Sequence, residues 1–206
     1  MLDLIVYQKS LNKKGRKLLA AIESALKANG EEYRIHVATR EGEAIGLAQS
    51  LTRDGAEKLV AFGGDGTLNE VVNGICDPAQ CVLGLIPAGT GNDFSAAAKI
   101  PKGIAALDLI LKGEPKPTDY IQFDDGKRSI NIAGMGIDVD ILQRVARKKR
   151  GGKSKYFFSL LSSLMHYKAI GLDVSADGGE TVHYQSLIAC VCNGSQLGGG
   201  IPMCPD

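Results

Sequence analysis

A run of glycines around one acid is the feature of this sequence with the clearest chemistry. It reads Gly63-Gly64-Asp65-Gly66-Thr67 and continues as Leu68-Asn69-Glu70. Glycines permit positive φ angles and close backbone approach, so successive amide N–H groups can converge on a phosphate. An acid among them offers hard oxygen ligands to a phosphate-bound Mg²⁺, directly or through water. The loop therefore predicts a phosphate site.

Purely structural interpretations of this loop explain less. Thr67 and Glu70 have the spacing of a capping box, which would arise wherever a strand turns into a helix. Capping by itself does not account for three glycines and an acid in four positions. The absence of a following Gly-Lys-Ser/Thr excludes a Walker loop, and the glycine spacing differs from the dinucleotide fingerprint. Phosphate binding is the favoured interpretation.

A second loop of similar composition lies one strand further along the chain. It reads Pro87-Ala88-Gly89-Thr90-Gly91-Asn92-Asp93-Phe94. Asn92 or Asp93 has the residue type that caps a short helix beginning near Phe94. Because the carboxyl ends of neighbouring parallel strands share one edge of a sheet, we expect the two loops to lie side by side. Two such loops are much stronger evidence for phosphate binding than one.

The elements that position these loops alternate between strand and helix. Short apolar runs predict four strands, and apolar residues at helical spacing predict the helices between them. Strands joined by helix-length crossovers indicate a parallel α/β sheet with right-handed connections. The predicted strands are Leu4–Tyr7, Arg34–Ala38, Leu59–Phe62 and Val82–Ile86, and the predicted helices are Gly15–Ala28, Ala44–Leu51 and one beginning near Leu68.

The pattern changes near residue 115, where Pro115 and Pro117 are typical of a linker. Two strand-like runs then flank Asp124-Asp125-Gly126-Lys127, which suits a hairpin turn. Further strands are predicted at Leu172–Ser175 and in a long run that ends at Cys192. We therefore predict an α/β nucleotide-binding domain over residues 1–117 and a β-rich, antiparallel second domain over 118–206. That second domain has too few strands to close a sandwich.

Composition narrows the function classes. The chain has 206 residues and a net charge of +1, which argues against a polyanion-binding protein. No stretch reaches the length of a membrane-spanning helix, and an acid near the N-terminus argues against a signal peptide. The five cysteines form no metal pattern and predict reduced thiols in a cytoplasmic protein. The three histidines, His36, His166 and His183, lie in separate elements and form no ligand set.

A basic stretch lies in the second half. Seven of the 24 Lys and Arg residues fall between Arg144 and Lys155 with no acid among them, and Tyr156-Phe157-Phe158 and an apolar helical stretch follow. Such a cluster could dock on anionic lipid headgroups. The alternative, which we favour on this pattern, is a solvated loop before a helix that packs on the second domain. Nothing here suggests nucleic-acid binding, because groove-entering and base-stacking features are lacking.

These motifs together resemble the diacylglycerol kinase catalytic domain family, which includes bacterial lipid kinases and is related to sphingosine kinases. The resemblance is carried by residues 63–74 and 86–94. It is supported by Asn131-Ile132-Ala133-Gly134-Met135-Gly136-Ile137-Asp138 and by the glycine-rich segment from Asn193 to Asp206. It spans nearly the whole chain, and the first two motifs together are highly specific. It implies an NAD kinase/diacylglycerol kinase-like fold, with a Rossmann-like parallel α/β domain followed by an incomplete antiparallel β-sandwich domain.

The resemblance also implies site residues and cofactors. ATP and Mg²⁺ would be the cofactors, and Asp65 would assist metal and phosphate positioning. By position, the nucleotide contacts would be Thr39, Gly64, Asp65, Gly66, Thr67, Leu68, Asn69, Glu70 and Thr90. An Asp65→Ala variant of the complete protein is expected to fold normally and to lose most of its activity.

Two departures from the family pattern matter. The family carries an Asn-Pro…Ser-Gly phosphate loop after its first strand, whereas this chain has Gln8-Lys9-Ser10-Leu11-Asn12. Ser10 and Asn12 are therefore weaker phosphate-loop candidates, and nucleotide binding is expected to be altered. The family's metal-organising acids lie just beyond the position of Asp206, and its general base lies later still. On this basis we expect the chain to be a fragment, inactive by itself, of a protein of roughly 300 residues, as the family implies.

The resemblance implies an ATP-dependent lipid kinase that transfers the γ-phosphoryl group to a lipid hydroxyl such as that of diacylglycerol. Its partner would be a lipid substrate at the bilayer surface, met by a cytoplasmic protein peripheral at the inner membrane face. Two alternatives stay open. One is an NAD kinase-like or other Gly-Gly-Asp-Gly kinase, and the other is a non-catalytic nucleotide- or lipid-binding module. The sequence does not indicate an oligomeric state.

Overall fold

The structure is a computed structural model, which describes residues 1–137, 139 and 168–204. Its contacts divide the chain into two compact units, Met1–Ile132 with Cys192–Asp206, and Ala133–Val191. The C-terminal glycine-rich segment therefore belongs to the unit that contains the N-terminal α/β domain. The predicted boundary after residue 117 separates two domains along the sequence, whereas these units are defined by contacts in space. The boundary therefore stays a prediction.

A four-stranded parallel sheet forms the centre of the first unit. Its strands are β1 (Leu2–Tyr7), β2 (Tyr33–Ala38), β3 (Lys58–Gly63) and β4 (Val82–Pro87), in the order β2-β1-β3-β4. The register places Val6 of β1 beside Val37 of β2 and Phe62 of β3. This order confirms the predicted parallel α/β organisation. It also brings the carboxyl ends of β3 and β4, which carry the two glycine loops, next to each other.

Five helices of the described part of the chain accompany the sheet. They are α1 (Lys13–Ala28), α2 (Glu43–Arg53), α3 (Asp65–Gly74), α4 (Asp93–Ala97) and α5 (Ile104–Lys112), with short 3₁₀ turns at Gln8–Ser10 and Pro78–Gln80. The first three and the short α4 match the predicted helices. Helix α5 was not predicted, although its apolar residues follow helical spacing. Gly30 ends α1 with a φ of +69°, as expected of a C-terminal glycine.

The sheet is covered on both faces, which explains its continuous apolar strands. On one face Ile5 and Ala61 pack with Leu68 and Val71 of α3 and with Ala48 of α2. On the other face, strand residues pack against α1 and α5, namely Leu4, Val6, Val60, Phe62 and Ile86 against Ile22, Leu26 and Leu107. Each large apolar side chain buried in this way contributes about 1.5–3 kcal/mol to folding.

Two smaller strand pairs complete the first unit. Strands β5 (Ile121–Gln122) and β6 (Arg128–Ser129) form the hairpin predicted around the Asp-Gly pair, and Gly126 adopts a φ of +82°. Strands β11 (Gln196–Leu197) and β12 (Ile201–Pro202) pair in antiparallel fashion. The Arg128 guanidinium donates to the carbonyl oxygens of Val72 and Ile75 at the end of α3, which fixes the hairpin to that helix.

The second unit is built of β-strands in its described part. Strand β7 (Ile132–Gly136) pairs with β10 (Ile188–Cys192), and β8 (Ile170–Val174) pairs with β9 (Val182–Ser186) in antiparallel fashion. The prediction of one long strand ending at Cys192 was wrong. The run is divided at Leu187, and its two halves pair with different partners, which a continuous β-pattern in the sequence does not reveal.

One pair of cysteines differs from the sequence prediction. Cys192 and Cys204 form a disulfide, so the expectation of reduced thiols was wrong for this pair. The tertiary fold brings their Cα atoms to 6.6 Å, within the range for a disulfide.

The basic stretch Arg144–Lys155, the apolar helical stretch after it and His166 lie outside the described residues. None of the helices within residues 1–137 and 168–204 has the length and apolar character needed to cross a membrane.

Candidate functional site

The first glycine loop joins β3 to α3. Strand β3 ends at Gly63, Gly64 occupies the N-cap position in an extended conformation, and α3 begins at Asp65. Within the described chain no side chain caps this end of the helix. The N–H groups of a helix's first turn lack intrahelical partners and carry partial positive charge. A Cβ on Gly66 would meet no atom within 4 Å, so the loop opens on free space.

The predicted capping box does not form. Thr67 lies inside α3 rather than at its N-cap, is buried, and packs so closely on Gly63 that a Cβ there would collide with its side chain. Glu70 turns towards a different helix, where its Oε2 accepts the Ala44 N–H of α2 at 3.3 Å. The spacing of Thr67 and Glu70 was right for a cap, but the strand-to-helix turn begins three residues before Thr67.

The second glycine loop contacts the first through backbone atoms. The Ala88 N–H donates to the Gly63 carbonyl at 2.8 Å, and a Cβ on Gly64 would lie 3.0 Å from the Gly89 Cα. The expectation that the two loops lie side by side is confirmed. Thr90 is exposed at the tip of this loop. Glycine is needed at Gly64 and Gly89 because any side chain would separate the two backbones.

Asp65 joins the two loops through its carboxylate. Its Oδ2 accepts the Asp93 N–H at 3.1 Å and its Oδ1 accepts the Phe94 N–H at 3.0 Å. Asp65 therefore caps α4, a role that we had predicted for Asn92 or Asp93. Asn92 instead adopts a left-handed conformation and forms hydrogen bonds with both the N–H and the carbonyl of Gly89, each at 3.0 Å.

Asp93 brings a third glycine loop to the same place. Its side chain is buried and accepts the Gly199 N–H at 3.0 Å and the Gly200 N–H at 2.8 Å. Gly198, Gly199 and Gly200 all have positive φ angles, which glycine adopts at no steric cost. Asp93 was absent from the predicted nucleotide contacts, and the sequence pointed to it only as a candidate helix cap within the second glycine loop.

Thr39 follows the edge strand β2 and is held by an acid four residues later. Its N–H and its Oγ1 donate to Glu43 Oε2 at 2.7 and 2.8 Å, and the Arg40 N–H donates to the same oxygen at 3.2 Å. Hydrogen bonds from the Thr39 N–H and hydroxyl, followed by that from the Arg40 N–H, lower the pKa of Glu43. The sequence singled out Thr39 but not Glu43.

The remaining predicted site residues are engaged within the fold. Leu68 is buried in the core and its N–H donates to the Gly64 carbonyl, while the Asn69 carbonyl accepts the Asn73 side-chain amide. After β1, Asn12 caps α1 by accepting the Lys14 and Gly15 N–H groups at 3.0 and 3.1 Å. Ser10 is buried in the turn that precedes it. The structure groups Gly64–Thr67 with the loop around Thr90, and it places Thr39, Ser10 and Asn12 at the ends of the other two strands.

Asp65 and Asp93 are the acids of this site to consider for a metal ion. A Cβ on Gly91 would lie 3.1 Å from Asp65 Oδ2 and 3.3 Å from Asp93 Oδ2, so the two carboxylates are neighbours. Both already accept backbone N–H groups. Within residues 1–137 and 168–204, no group of three or more His, Cys, Asp or Glu residues could hold a metal ion.

Comparison with known proteins agrees with this architecture. The family model described as the diacylglycerol kinase catalytic domain matches residues 2–123, and that of the YegS C-terminal NAD kinase beta sandwich-like domain matches residues 131–206. A probable lipid kinase YegS-like protein of Enterobacter is 30% identical over 198 residues, which are 93% of this chain. A probable lipid kinase YegS of Salmonella arizonae is 32% identical over 186 residues, which are 87% of this chain.

The chain spans 66% and 62% of the length of these two relatives. A crystal structure of a diacylglycerol kinase from Bacillus anthracis superposes with a TM-score of 0.74 at 29% identity, covering 98% of this chain and 67% of that one. An NAD kinase from Archaeoglobus fulgidus in complex with ATP gives 0.53 at 14% identity, covering 93% and 60%. This second likeness bears on the fold alone.

The family match covers more than half of the chain and includes both glycine loops. The parallel sheet that carries them and the antiparallel strands that follow agree with the two matched family models. On this evidence the chain belongs to the diacylglycerol kinase catalytic domain family.

Proposed function

We propose that the full-length protein is an ATP-dependent lipid kinase that phosphorylates a lipid hydroxyl such as that of diacylglycerol. The observation that carries the proposal is the backbone contact between the two glycine loops at Gly64 and Gly89, beside a helix terminus that no described side chain caps. Helix N-termini and glycine-rich turns favour anionic phosphate groups. Membership of the kinase family and the relatives named as probable lipid kinases support the lipid acceptor.

In this proposal the residues of the chain act by positioning and by charge stabilisation, which dominate phosphoryl transfer. Bound ATP supplies the transferable γ-phosphoryl group, and the lipid hydroxyl oxygen forms the new bond to phosphorus as the bond to the bridging oxygen of ADP breaks and the hydroxyl proton passes to the general base that the family resemblance implies. The N–H groups of Gly64, Asp65 and Gly66 would bind phosphate oxygens. Asp65 would keep the second loop, with Thr90, against the first.

Mg²⁺ is part of the proposal as an ion that the phosphates hold with help from Asp65. Each carboxylate oxygen has about two lone-pair sites, and each Asp65 oxygen accepts one backbone N–H. The lone pairs that remain on the Asp65 carboxylate could accept a hydrogen bond from a water bound to the metal, but they are too few to coordinate the ion fully. The further acids that the family resemblance implies would complete such a site.

A lipid at a bilayer surface is the proposed acceptor, and the protein would meet it as a peripheral protein at the inner membrane face. The seven basic residues between Arg144 and Lys155 would add electrostatic attraction to such a surface, although their pattern by itself favours a solvated loop.

The test is a phosphorylation assay of the full-length protein with labelled ATP and three acceptors, namely diacylglycerol in mixed vesicles, NAD and fructose 6-phosphate. We expect label in the lipid alone. An Asp65→Ala variant should lose at least about tenfold in kcat/KM. Because Asp65 caps α4, this variant should also lose about 1 kcal/mol of unfolding free energy. The variant is therefore expected to be less stable than the native protein, unlike the expectation from the sequence that it folds normally.

The matched control is Asp77→Ala, which removes an aspartate that caps the 3₁₀ turn at Pro78–Gln80 by accepting the Ala79 N–H. It should lose comparable stability and keep full activity. Phosphorylation of NAD alone, or normal turnover in the Asp65 variant, would contradict the proposal.

A further inference from the structure

The disulfide between Cys192 and Cys204 closes a loop around the third glycine segment. Cys192 ends β10 and Cys204 lies shortly after β12, at a sequence separation of 12 residues. The closed loop has an outgoing arm (193–197) with β11, a glycine tip (198–200) and a return arm (201–203) with β12. Both cysteines are only half-buried, and a disulfide that solvent reaches is open to attack by dissolved thiols.

The outgoing arm is anchored to the unit that contains the parallel sheet. The N–H groups of Asn193 and Gly194 both donate to the Asn131 carbonyl, each at 2.8 Å. The Asn193 side-chain amide donates to the Asp119 carbonyl at 2.7 Å. None of these hydrogen bonds involves a cysteine sulfur. The outgoing arm should therefore keep its place whether or not the disulfide is formed.

The return arm is held in a different way. Strand β12 pairs with β11, and the N–H groups of Met203 and Cys204 donate to the Ser195 carbonyl at 3.0 and 3.3 Å. Within the described residues, the hydrogen bonds of this arm are thus made to the other arm of the same loop. A two-stranded hairpin by itself is marginally stable in water. The disulfide is therefore the covalent constraint that keeps the return arm closed.

The glycine tip depends on that closure because it is costly to order. Gly198, Gly199 and Gly200 all have positive φ angles, and glycine loses more conformational freedom on ordering than any other residue. A cross-link removes part of that freedom from the open state, which favours the closed one. The closed tip donates two N–H groups to Asp93, whose carboxylate neighbours that of Asp65.

We propose that Cys192 and Cys204 form a reversible redox switch. In the oxidised state the disulfide holds the glycine tip on Asp93, and in the reduced state the return arm opens and the tip leaves Asp93. The anchored outgoing arm and the hairpin register keep the two thiols within reach of each other, so that the bond can form again. The effect on ATP rests on the proposed function, since it acts through the place where the glycine loops meet.

The chemistry is thiol–disulfide exchange with a small dithiol or a small disulfide. A thiolate of the dithiol attacks one protein sulfur, forms a mixed disulfide and releases the other cysteine. The second thiol of the reductant then displaces the first cysteine and leaves with its partner as a cyclic disulfide, so that two electrons and two protons pass to the protein pair. Oxidised glutathione reverses this, and the protein disulfide forms as two glutathione thiols are released.

Hydrogen exchange measured by mass spectrometry on the full-length protein tests the switch. The protein is compared after treatment with oxidised glutathione and after treatment with dithiothreitol, and alkylation with peptide mapping identifies the state of each cysteine. On reduction, peptides that cover Gly198–Gly200 should exchange at least about tenfold faster. Peptides from β1 and β3 should stay unchanged, and oxidised glutathione should restore slow exchange.

Two variants separate the switch from a general effect of the reagents. Cys204→Ser cannot form the bond and should show fast exchange of the glycine tip in both treatments. The matched control is Cys76→Ser, which removes an exposed thiol outside this loop and should respond to both treatments as the native protein does. Circular dichroism checks that each protein is folded.

Calorimetry with Mg·ATP measures whether the switch reaches the site. The reduced protein and Cys204→Ser should bind ATP about fivefold or more weakly than the oxidised native protein, which is within the usual range of coupling between sites. Cys76→Ser should keep the native response. Equal ATP affinity in the two states would refute this coupling.

Two other results would overturn the switch itself. One is the same exchange rate of the glycine tip in both states, which would show that the tip does not depend on the bond. The other is a pair that dithiothreitol does not reduce in the folded protein, or that oxidised glutathione does not form again. If the oxidised protein binds no ATP, the proposed function fails, while the exchange rates still decide whether the switch exists.

Discussion

At the scale of the residue, acidic side chains hold backbone N–H groups wherever loops meet. Asp65, Asp93 and Glu43 each accept two or three such bonds. Hydrogen bonds to ionised groups are stronger than neutral ones, so each carboxylate fixes the loop it contacts. A site built in this way depends on acids that need not touch the ligand themselves.

Asp3 is an acid away from the site that holds side chains rather than backbone N–H groups. Its buried carboxylate accepts two hydrogen bonds from Arg34, at 2.7 and 3.0 Å, and lies 2.8 Å from His36 Nε2. Burial raises the pKa of the Asp3 carboxyl. The hydrogen bonds from Arg34 and His36 together lower this pKa by a larger amount, so it lies below the usual value of 3.8.

We predict that Asp3 makes the fold sensitive to acid. A depressed folded-state pKa gives stability that is present above about pH 4 and is lost as the pH falls through the folded pKa. Urea unfolding between pH 7 and pH 3 should therefore show a steeper loss of unfolding free energy in the native protein than in Asp3→Asn. Parallel curves for the two proteins would contradict this role.

At the scale of the element, the site exists because two strand ends are adjacent and carry glycines. Strands β3 and β4 pair along their whole length, from Lys58 with Val82 to Gly63 with Pro87. Their loops continue this contact past the sheet through Gly64 and Gly89. The geometry of the phosphate site is therefore a property of the strand pair and its turns together.

Replacement of Gly89 by alanine tests this contact. The new Cβ would lie 2.9 Å from Asn92 Oδ1 and closer still to the Gly64 Cα, and backbone atoms cannot yield cheaply. We expect a loss of about 1–3 kcal/mol in unfolding free energy and at least a tenfold rise in the dissociation constant for ATP.

Gly46→Ala in α2 is the control, since a Cβ there meets no atom within 4 Å. It should be neutral or stabilising by up to about 1 kcal/mol, with unchanged ATP binding. Tight ATP binding by the Gly89 variant would show that the contact between the loops is dispensable.

At the scale of the whole molecule, Asp93 connects parts of the chain that are far apart in sequence. The hydrogen bonds to Gly199 and Gly200 span 106 and 107 residues. Gln196 adds another by donating to the Asp93 carbonyl at 3.1 Å. Residues 192–204 thus belong to the unit that contains the sheet, and the glycine-rich segment is attached where the other two glycine loops meet.

We predict that Asp93→Asn loosens this attachment. Asn presents only one acceptor oxygen and points an NH₂ group at backbone donors, so unfolding free energy should fall by about 1–3 kcal/mol. Hydrogen exchange measured by mass spectrometry should speed up in peptides that cover Gly198–Gly200. Asp108→Asn, an exposed acid in α5 paired with Lys112, should change neither. Unaltered exchange in the Asp93 variant would refute the link.

Local patterns in the sequence were enough to predict the alternation of strands and helices, the parallel sheet and the two glycine loops. Apolar periodicity and glycine spacing are local properties, and the predicted strands lie within a few residues of β1–β4. The hairpin at Asp125-Gly126 was likewise predicted, because its turn chemistry is contained in four residues.

The roles of the polar side chains in those loops depend on tertiary packing. Asp65 caps a helix 28 residues later, Glu70 holds α2, and Cys192 pairs with Cys204. The long β-run divides at Leu187 because its halves pair with different strands. Such assignments depend on which groups packing brings within about 3 Å, and a pattern of residue types along the chain does not contain that distance.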